Sequence, residues 1–354
     1  MYSESDLNSA VEAGVLTPDS AAAFRDHVAT THAAPIVDEE HFRLLTGFND
    51  IFVAIAAALM LAAAAWIGAE IKPWLGGIAA AGLAWGLAEY FTRVRRMALP
   101  SILLLLAFIA GVAGALVGVV ADNLDTLERL IGRDNDTLAK QVASGIAAVI
   151  CLATAGAAWL HWRRFTVPIT VAAGAVAVVG VLFALIMTSF AGAERWAMPI
   201  VLAGGVLVFL FAMRWDMSDR ERTTRRSDVA FWLHLAAAPM IAHPIFHMLG
   251  VFDGNVAPGI AGIVLLLYVG FAALALAIDR RALLVSSLAY VLYAMYALFT
   301  SAGAVELGAA LTALVIGSAL LTLSAFWQPM RRLVVGPLGG IAGRLPPVQP
   351  PAYA

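Results

Sequence analysis

The chain has 354 residues, of which 62% are hydrophobic and only 13% charged, with a formal net charge of -2. Soluble domains carry roughly a quarter charged residues, so an ordinary water-soluble globule is excluded. The near-neutral balance gives no ground for a nucleic-acid partner. Charges gather in short segments, leaving apolar stretches of about 17–24 residues, enough to cross a hydrocarbon core of about 30 Å as helices. They are too long and too uniformly apolar for β-barrel strands.

Residues 1–47 are polar and acidic and read as a cytoplasmic segment with a short helical pair. Leu7, Val11 and Leu16 form one apolar face that stops near Gly14. Thr17-Pro18-Asp19 then reads as N-cap, first-turn proline and helix-favouring acid. Two helices this short need a membrane domain, a second copy or a partner to bury their apolar faces. No cleavable signal is expected, because the first apolar run starts late, and the first span would serve as an uncleaved anchor. Asp38-Glu39-Glu40-His41 before that span reads as a solvated acidic cluster rather than a metal site.

From residue 48 onward the pattern predicts an all-α bundle of about ten membrane spans. They fall near 48–68, 74–92, 100–121, 141–161, 167–190, 197–213, 229–249, 258–278, 282–300 and 304–327, making residues 48–327 the transmembrane domain. Five Arg-Arg pairs, at 95–96, 163–164, 225–226, 280–281 and 331–332, separate these into five hairpins. On this division 17 Lys and Arg lie on one side and five on the other. The positive-inside rule then places both termini in the cytoplasm. Trp66, Trp74, Trp159, Trp162, Trp196, Trp215 and Trp327 fall at span ends, where indole rings anchor at the interface.

Between the third and fourth spans, Leu124, Leu127, Leu130 and Ile131 recur at helical spacing among charges and predict an amphipathic surface helix. Gly114 and Gly118 form a small-xxx-small pair that suits close helix packing. Cys151, the lone cysteine, lies mid-span and has no internal disulfide partner. The loop over 214–228 mixes Arg214, Arg220, Arg222, Arg225 and Arg226 with Asp216, Asp219, Glu221 and Asp228. That mixture is poorly suited to a strong anionic-lipid patch. Residues 328–354 form a proline-rich cytoplasmic tail, whose end from Leu345 to Pro351 is expected to be extended or disordered.

Ionisable groups inside a membrane are costly and mark function by default. No Asp, Glu, Lys or Arg lies near the centre of a predicted span, which argues against a proton-coupled carrier built on a central carboxylate. The seventh span is the exception, since Pro239 and Pro244 remove backbone donors and predict a broken helix. His243 and His247 share a helical face, whereas His234 lies about half a turn away and is expected to point elsewhere. Tyr290, Tyr293 and Tyr296 make a polar-aromatic stripe on the ninth span. Equal depth allows one outward-facing pocket lined by His243, His247, Tyr293, Tyr296 and Glu306. Its uses range from interhelical hydrogen bonding to a metal, haem or quinone site. Which metal or cofactor, if any, is unspecified.

The N-terminal helical pair, the Gly14-Val15-Leu16-Thr17-Pro18 turn and the alanine-rich spans resemble a group of bacterial membrane proteins known only as domains of unknown function. The resemblance covers the layout. It implies a bacterial inner-membrane location and carries over no activity and no site residues. Three functions therefore compete: a transport-like or ligand-binding protein centred on the seventh span, a scaffold or sensor recruiting a cytoplasmic partner, and an intramembrane enzyme or redox protein. No nucleophile or acid–base pair at a recognisable spacing supports the last.

Overall fold

The structure, a computed structural model, describes residues 9–31, 48–132, 135–190, 192–220, 222, 224–251, 258–301 and 307–348. The chain divides into two units, residues 1–43 with 350–354, and residues 44–349. In the first unit the chain turns at Gly14 in a left-handed conformation, φ +70°. Helix α1 (Pro18–Thr31) follows, and the Thr17 hydroxyl accepts from the Ser20 amide at 3.1 Å, the predicted N-cap.

The second unit contains α2 (Phe48–Ile71), α3 (Pro73–Ala88), α4 (Ala98–Asp122), α5 (Leu124–Ile131) and α6 (Asp136–Phe165). It continues through α7 (Ile169–Ser189), α8 (Ala197–Ser218), α9 (Arg225–Met248), α10 (Pro258–Ile278) and α11 (Ala282–Ser301). Helices α12 (Gly308–Ala325) and α13 (Trp327–Val335) complete it, followed by a 3₁₀ segment over Gly336–Arg344. No described residue lies in a strand. Eight of these helices, α2, α4, α6, α7, α8, α9, α10 and α12, are long and apolar enough to cross a membrane. Helix α3 has 16 residues before a π-helical stretch over Glu89–Val94, and the apolar part of α11 is Ala282–Ala297. The helix expected between the third and fourth spans is present as α5, with Leu124 and Leu130 exposed.

Alternate connections meet at opposite ends of the bundle. At one end, Arg164 forms a two-bond fork on Glu89 at 2.7 and 2.9 Å, and Arg225 reaches the Thr166 hydroxyl at 3.2 Å. At the same end Arg222 meets Asp279 at 3.0 Å, and Arg331 donates to the Leu276 carbonyl at 3.1 Å. At the other end Lys72 pairs with Asp122 at 3.2 Å and Lys140 with Glu194 at 3.1 Å. The Arg-Arg pairs are therefore gathered at a single end.

Lipid is as apolar as a leucine side chain, so helices in a bilayer associate through close packing rather than hydrophobic exclusion. Helices α3 and α4 pack backbone to backbone. A Cβ on Gly77 would lie 2.2 Å from the Ala115 nitrogen, and one on Gly111 would lie 2.7 Å from the Ala81 nitrogen. Gly118 approaches Trp74 in the same way, whereas the space beside Gly114 is open. The contact pair is thus Gly111 and Gly118, two turns apart, and the expected pairing with Gly114 is corrected. Gly111→Leu should destabilise the detergent-solubilised protein by about 1–3 kcal/mol, because no flexible group can yield to the new side chain. Gly114→Ala should leave thermal unfolding unchanged, and equal sensitivity of the two positions would contradict this packing.

Candidate functional site

Helix α9 is the most enclosed of the eight long apolar helices: half of its apolar stretch is buried, against 11–28% for the others. It starts at Thr224, whose hydroxyl accepts from the Arg226 amide at 3.2 Å. Its helical path runs unbroken through Pro239 and Pro244, so the expected break is absent. The prolines still deprive the Leu235 and Met240 carbonyls of an amide partner. Gly205 of α8 brings its backbone against Met240, where an added Cβ would lie 2.9 Å from the carbonyl oxygen. A neighbouring helix thereby covers one of the two weakened positions. Prolines in membrane helices persist under that condition.

The polar centre of the bundle lies at the arginine-rich end, around two carboxylates. Asp216, in the last turn of α8, receives Arg280 through Nη2 at 2.6 Å and Nε at 3.2 Å. His234 Nε2 lies 2.9 Å from its Oδ2. All three residues are buried, and Arg280 also donates to the Ser227 carbonyl at 3.1 Å. The second carboxylate, Asp279, accepts from Trp327 Nε1 at 2.8 Å and pairs with Arg222 at 3.0 Å. Arg331, only 1% exposed, lies 3.7 Å from Asp279 and donates to the carbonyls of Leu276, Pro346 and Pro347. Asp279 and Arg280 are neighbours in the α10–α11 turn, so one peptide bond joins the two clusters.

A pair sealed from water at this separation is held by a bidentate guanidinium, the strongest geometry open to a carboxylate. His234 sits against Phe209 with ring centroids 5.1 Å apart, and its buried Nδ1 has no hydrogen-bond partner. Chemically the cluster offers a fixed carboxylate, a guanidinium and an imidazole nitrogen with an open lone pair. A second enclosed imidazole, His161 of α6, is fully buried among Trp85, Phe108 and Phe165, with ring centroids 4.6–6.2 Å away. Its Nδ1 lies 3.4 Å from the Thr170 hydroxyl, and its Nε2 has no partner.

The predicted pocket residues are placed less compactly. His243 and His247 do share a face of α9, with ring centroids 6.0 Å apart. His243 Nδ1 lies 2.9 Å from the Tyr290 hydroxyl, and the Tyr290 ring stacks on Phe246 at 4.6 Å. Tyr290 is thus the stripe residue that meets His243. Tyr293 and Tyr296 are 40% and 43% exposed, and Tyr296 packs near Gly308 at the start of α12. Glu306 lies outside the described residues. Among the described residues, no three His, Cys, Asp or Glu side chains gather closely enough to hold a metal ion.

No family model, curated protein or solved structure matches this chain.

The sequence did not mark the Asp216 cluster as a site. Asp216 stands three residues past the end of its apolar run and reads as a loop acid, and Arg280 reads as a topology signal. The available clue was a lone acid immediately before an Arg-Arg pair, in a connection of only a few residues. His234, expected to point away from any site, points into this one.

Removing one member of a buried ion pair leaves a desolvated charge and costs about 3–5 kcal/mol. Arg280→Gln should therefore sharply lower the thermal midpoint in detergent, whereas Arg332→Gln, at an exposed position, should not. The paired change Asp216→Asn with Arg280→Gln should recover part of the loss. Equal, small effects from all of these variants would show that the cluster is not sealed from water.

Proposed function

We propose that the chain is a multi-pass protein of a bacterial inner membrane, crossing about ten times with both termini in the cytoplasm. We further propose that α9 gives it a transport-like or small-ligand-binding role. On this reading α3, lengthened by its π-helical stretch, and α11 are the two crossings that complete the ten. The 17-to-5 distribution of Lys and Arg supports the orientation. The gathering of the Arg-Arg pairs at one end is what that alternation requires.

The observation that carries the functional reading is the set of polar groups along α9. His234 enters the Asp216–Arg280 cluster at one end, and His243 meets Tyr290 about two and a half turns further along. An enclosed apolar helix that carries imidazoles to partners on two other helices is expensive in a membrane. The ligand face would comprise His243, His247 and Tyr290, with Tyr293 and Tyr296 on its margin, and Glu306 joins them only by the sequence reading. A scaffold or sensor role is the second reading, supported by the separation of residues 1–43 and 350–354 as a unit of their own.

Native mass spectrometry of the detergent-extracted protein beside a His243→Ala/His247→Ala variant tests the first reading. A small molecule retained by the wild type and lost in the variant is the expected result. Identical bare spectra, with a partner protein lost on deleting residues 1–30, would overturn it in favour of the scaffold. The topology is checked separately in a Cys151→Ala background. Single cysteines at 96, 164 and 281 should be shielded from an impermeant thiol reagent in intact cells, and cysteines at 123 and 194 should react.

A further inference from the structure

The segment from Arg214 to Asp228 is mixed in charge, but its side chains divide into two groups. Asp216 is consumed by Arg280 and His234. Asp219 accepts the Thr224 amide at 2.9 Å and the Thr224 hydroxyl at 2.7 Å. Arg222 is taken by Asp279, Arg220 donates to the Leu345 carbonyl at 3.1 Å, and Arg225 is bonded to Thr166. Arg214 and Arg226 remain. Among the described residues, neither side chain has a hydrogen bond or ion pair.

These two arginines line the same cavity, of about 420 Å³, together with Phe211, Trp215 and Ser218. Positions 211, 214, 215 and 218 recur at the spacing of one helical face, so the end of α8 presents Phe211, Arg214 and Trp215 on the same side. Phe211 and Trp215 form an edge-to-face pair with centroids 6.2 Å apart, and the Ser218 hydroxyl donates to the Trp215 carbonyl at 2.7 Å. Arg226 faces them from the first turn of α9. The cavity is thus lined by two aromatic rings and two guanidinium groups.

The geometry points to a binding site for an anionic glycerophospholipid, its phosphate between Arg214 and Arg226 and its acyl chains along Phe211 and Trp215. Guanidinium groups form forked hydrogen bonds with phosphate, and an indole ring sits stably at headgroup level. Charge complementarity selects the occupant: a zwitterionic lipid brings a choline cation to a site that already holds two unneutralised cations. On this reading the expectation that the loop's mixed charge is poorly suited to anionic lipid is revised, since two of its acids, Asp216 and Asp219, are buried and bonded within the protein. The inference rests on the bilayer reading above and not on any role for α9.

The full chain, reconstituted into phosphatidylcholine vesicles, provides the test. A minor fraction of brominated phosphatidylglycerol or of brominated phosphatidylcholine is added, and tryptophan quenching is compared between wild type and Trp215→Phe. The difference isolates Trp215, which should be quenched several-fold more by the anionic lipid. Arg214→Gln/Arg226→Gln should abolish that preference, bringing the two lipids to equal quenching, because both attractions are lost together. Equal quenching of Trp215 by both lipids would overturn the site while leaving the bilayer reading intact. Quenching by neither would overturn both, because the end of α8 would then lie outside the membrane. Should the double variant fail to reconstitute, the wild-type comparison still decides.

Discussion

A carboxylate enclosed at the end of an apolar bundle must be met at close range by a cation, and this requirement organises the second half of the chain. Taking a charge out of water costs several kcal/mol per ion even after relaxation, so neither Asp216 nor Arg280 is tolerable alone. Bringing them within 2.6 Å fixes the end of α8 against the α10–α11 turn. His234 then ties α9 to the same oxygen pair, and the adjacent Asp279 extends the tie to Arg222, Trp327 and Arg331. Five separate stretches of chain converge because two neighbouring residues, one acidic and one basic, have opposite partners to satisfy.

That convergence also explains a recurring backbone feature. Arg96, Thr166, Arg222 and Asp279 all adopt left-handed conformations, with φ between 52° and 58°. Each lies in a connection at the arginine-rich end, and such a conformation costs a non-glycine residue about 1–3 kcal/mol unless its surroundings hold it. Asp279 and Arg222 are held by each other, through both the ion pair and a guanidinium bond to the Asp279 carbonyl at 2.9 Å. The first half of the bundle is held differently. Its exposed Arg164–Glu89 pair contributes little by itself, and its rigidity comes from Gly77, Gly111 and Gly118 admitting a neighbouring backbone.

Much of this architecture was legible because the membrane imposes a coarse rule on sequence. A helix must stay apolar for its whole crossing, and the turn between crossings must carry the charge. The long helices followed directly, as did α5 and the Thr17 cap, whereas α13 falls in the segment expected to be the tail. The glycine contacts did not, because Gly111 and Gly114 look alike in sequence and differ only in which helix face meets a neighbour. The unbroken path of α9 was hidden for a related reason. Two prolines predict lost hydrogen bonds, but the approach of Gly205 to Met240 is a tertiary fact. Pairings such as Asp216 with Arg280, 64 positions apart, leave no trace in local pattern at all.

Arginine pairs in such a chain therefore serve two purposes that a charge count merges. In two of the five pairs one member turns inward: Arg280 and Arg331 are buried, while Arg281 lies over the Trp327 ring at 4.6 Å and Arg332 is exposed. The inward member is neutralised by a carboxylate or by backbone carbonyls, so it contributes little to the field that a membrane surface meets. What remains outward-facing is a smaller set of cations, and Arg214 and Arg226 belong to it. A segment that is balanced by composition can thus be more basic on its outer face, because folding buries Asp216 and Asp219 and leaves Arg214 and Arg226 exposed beside two aromatic rings.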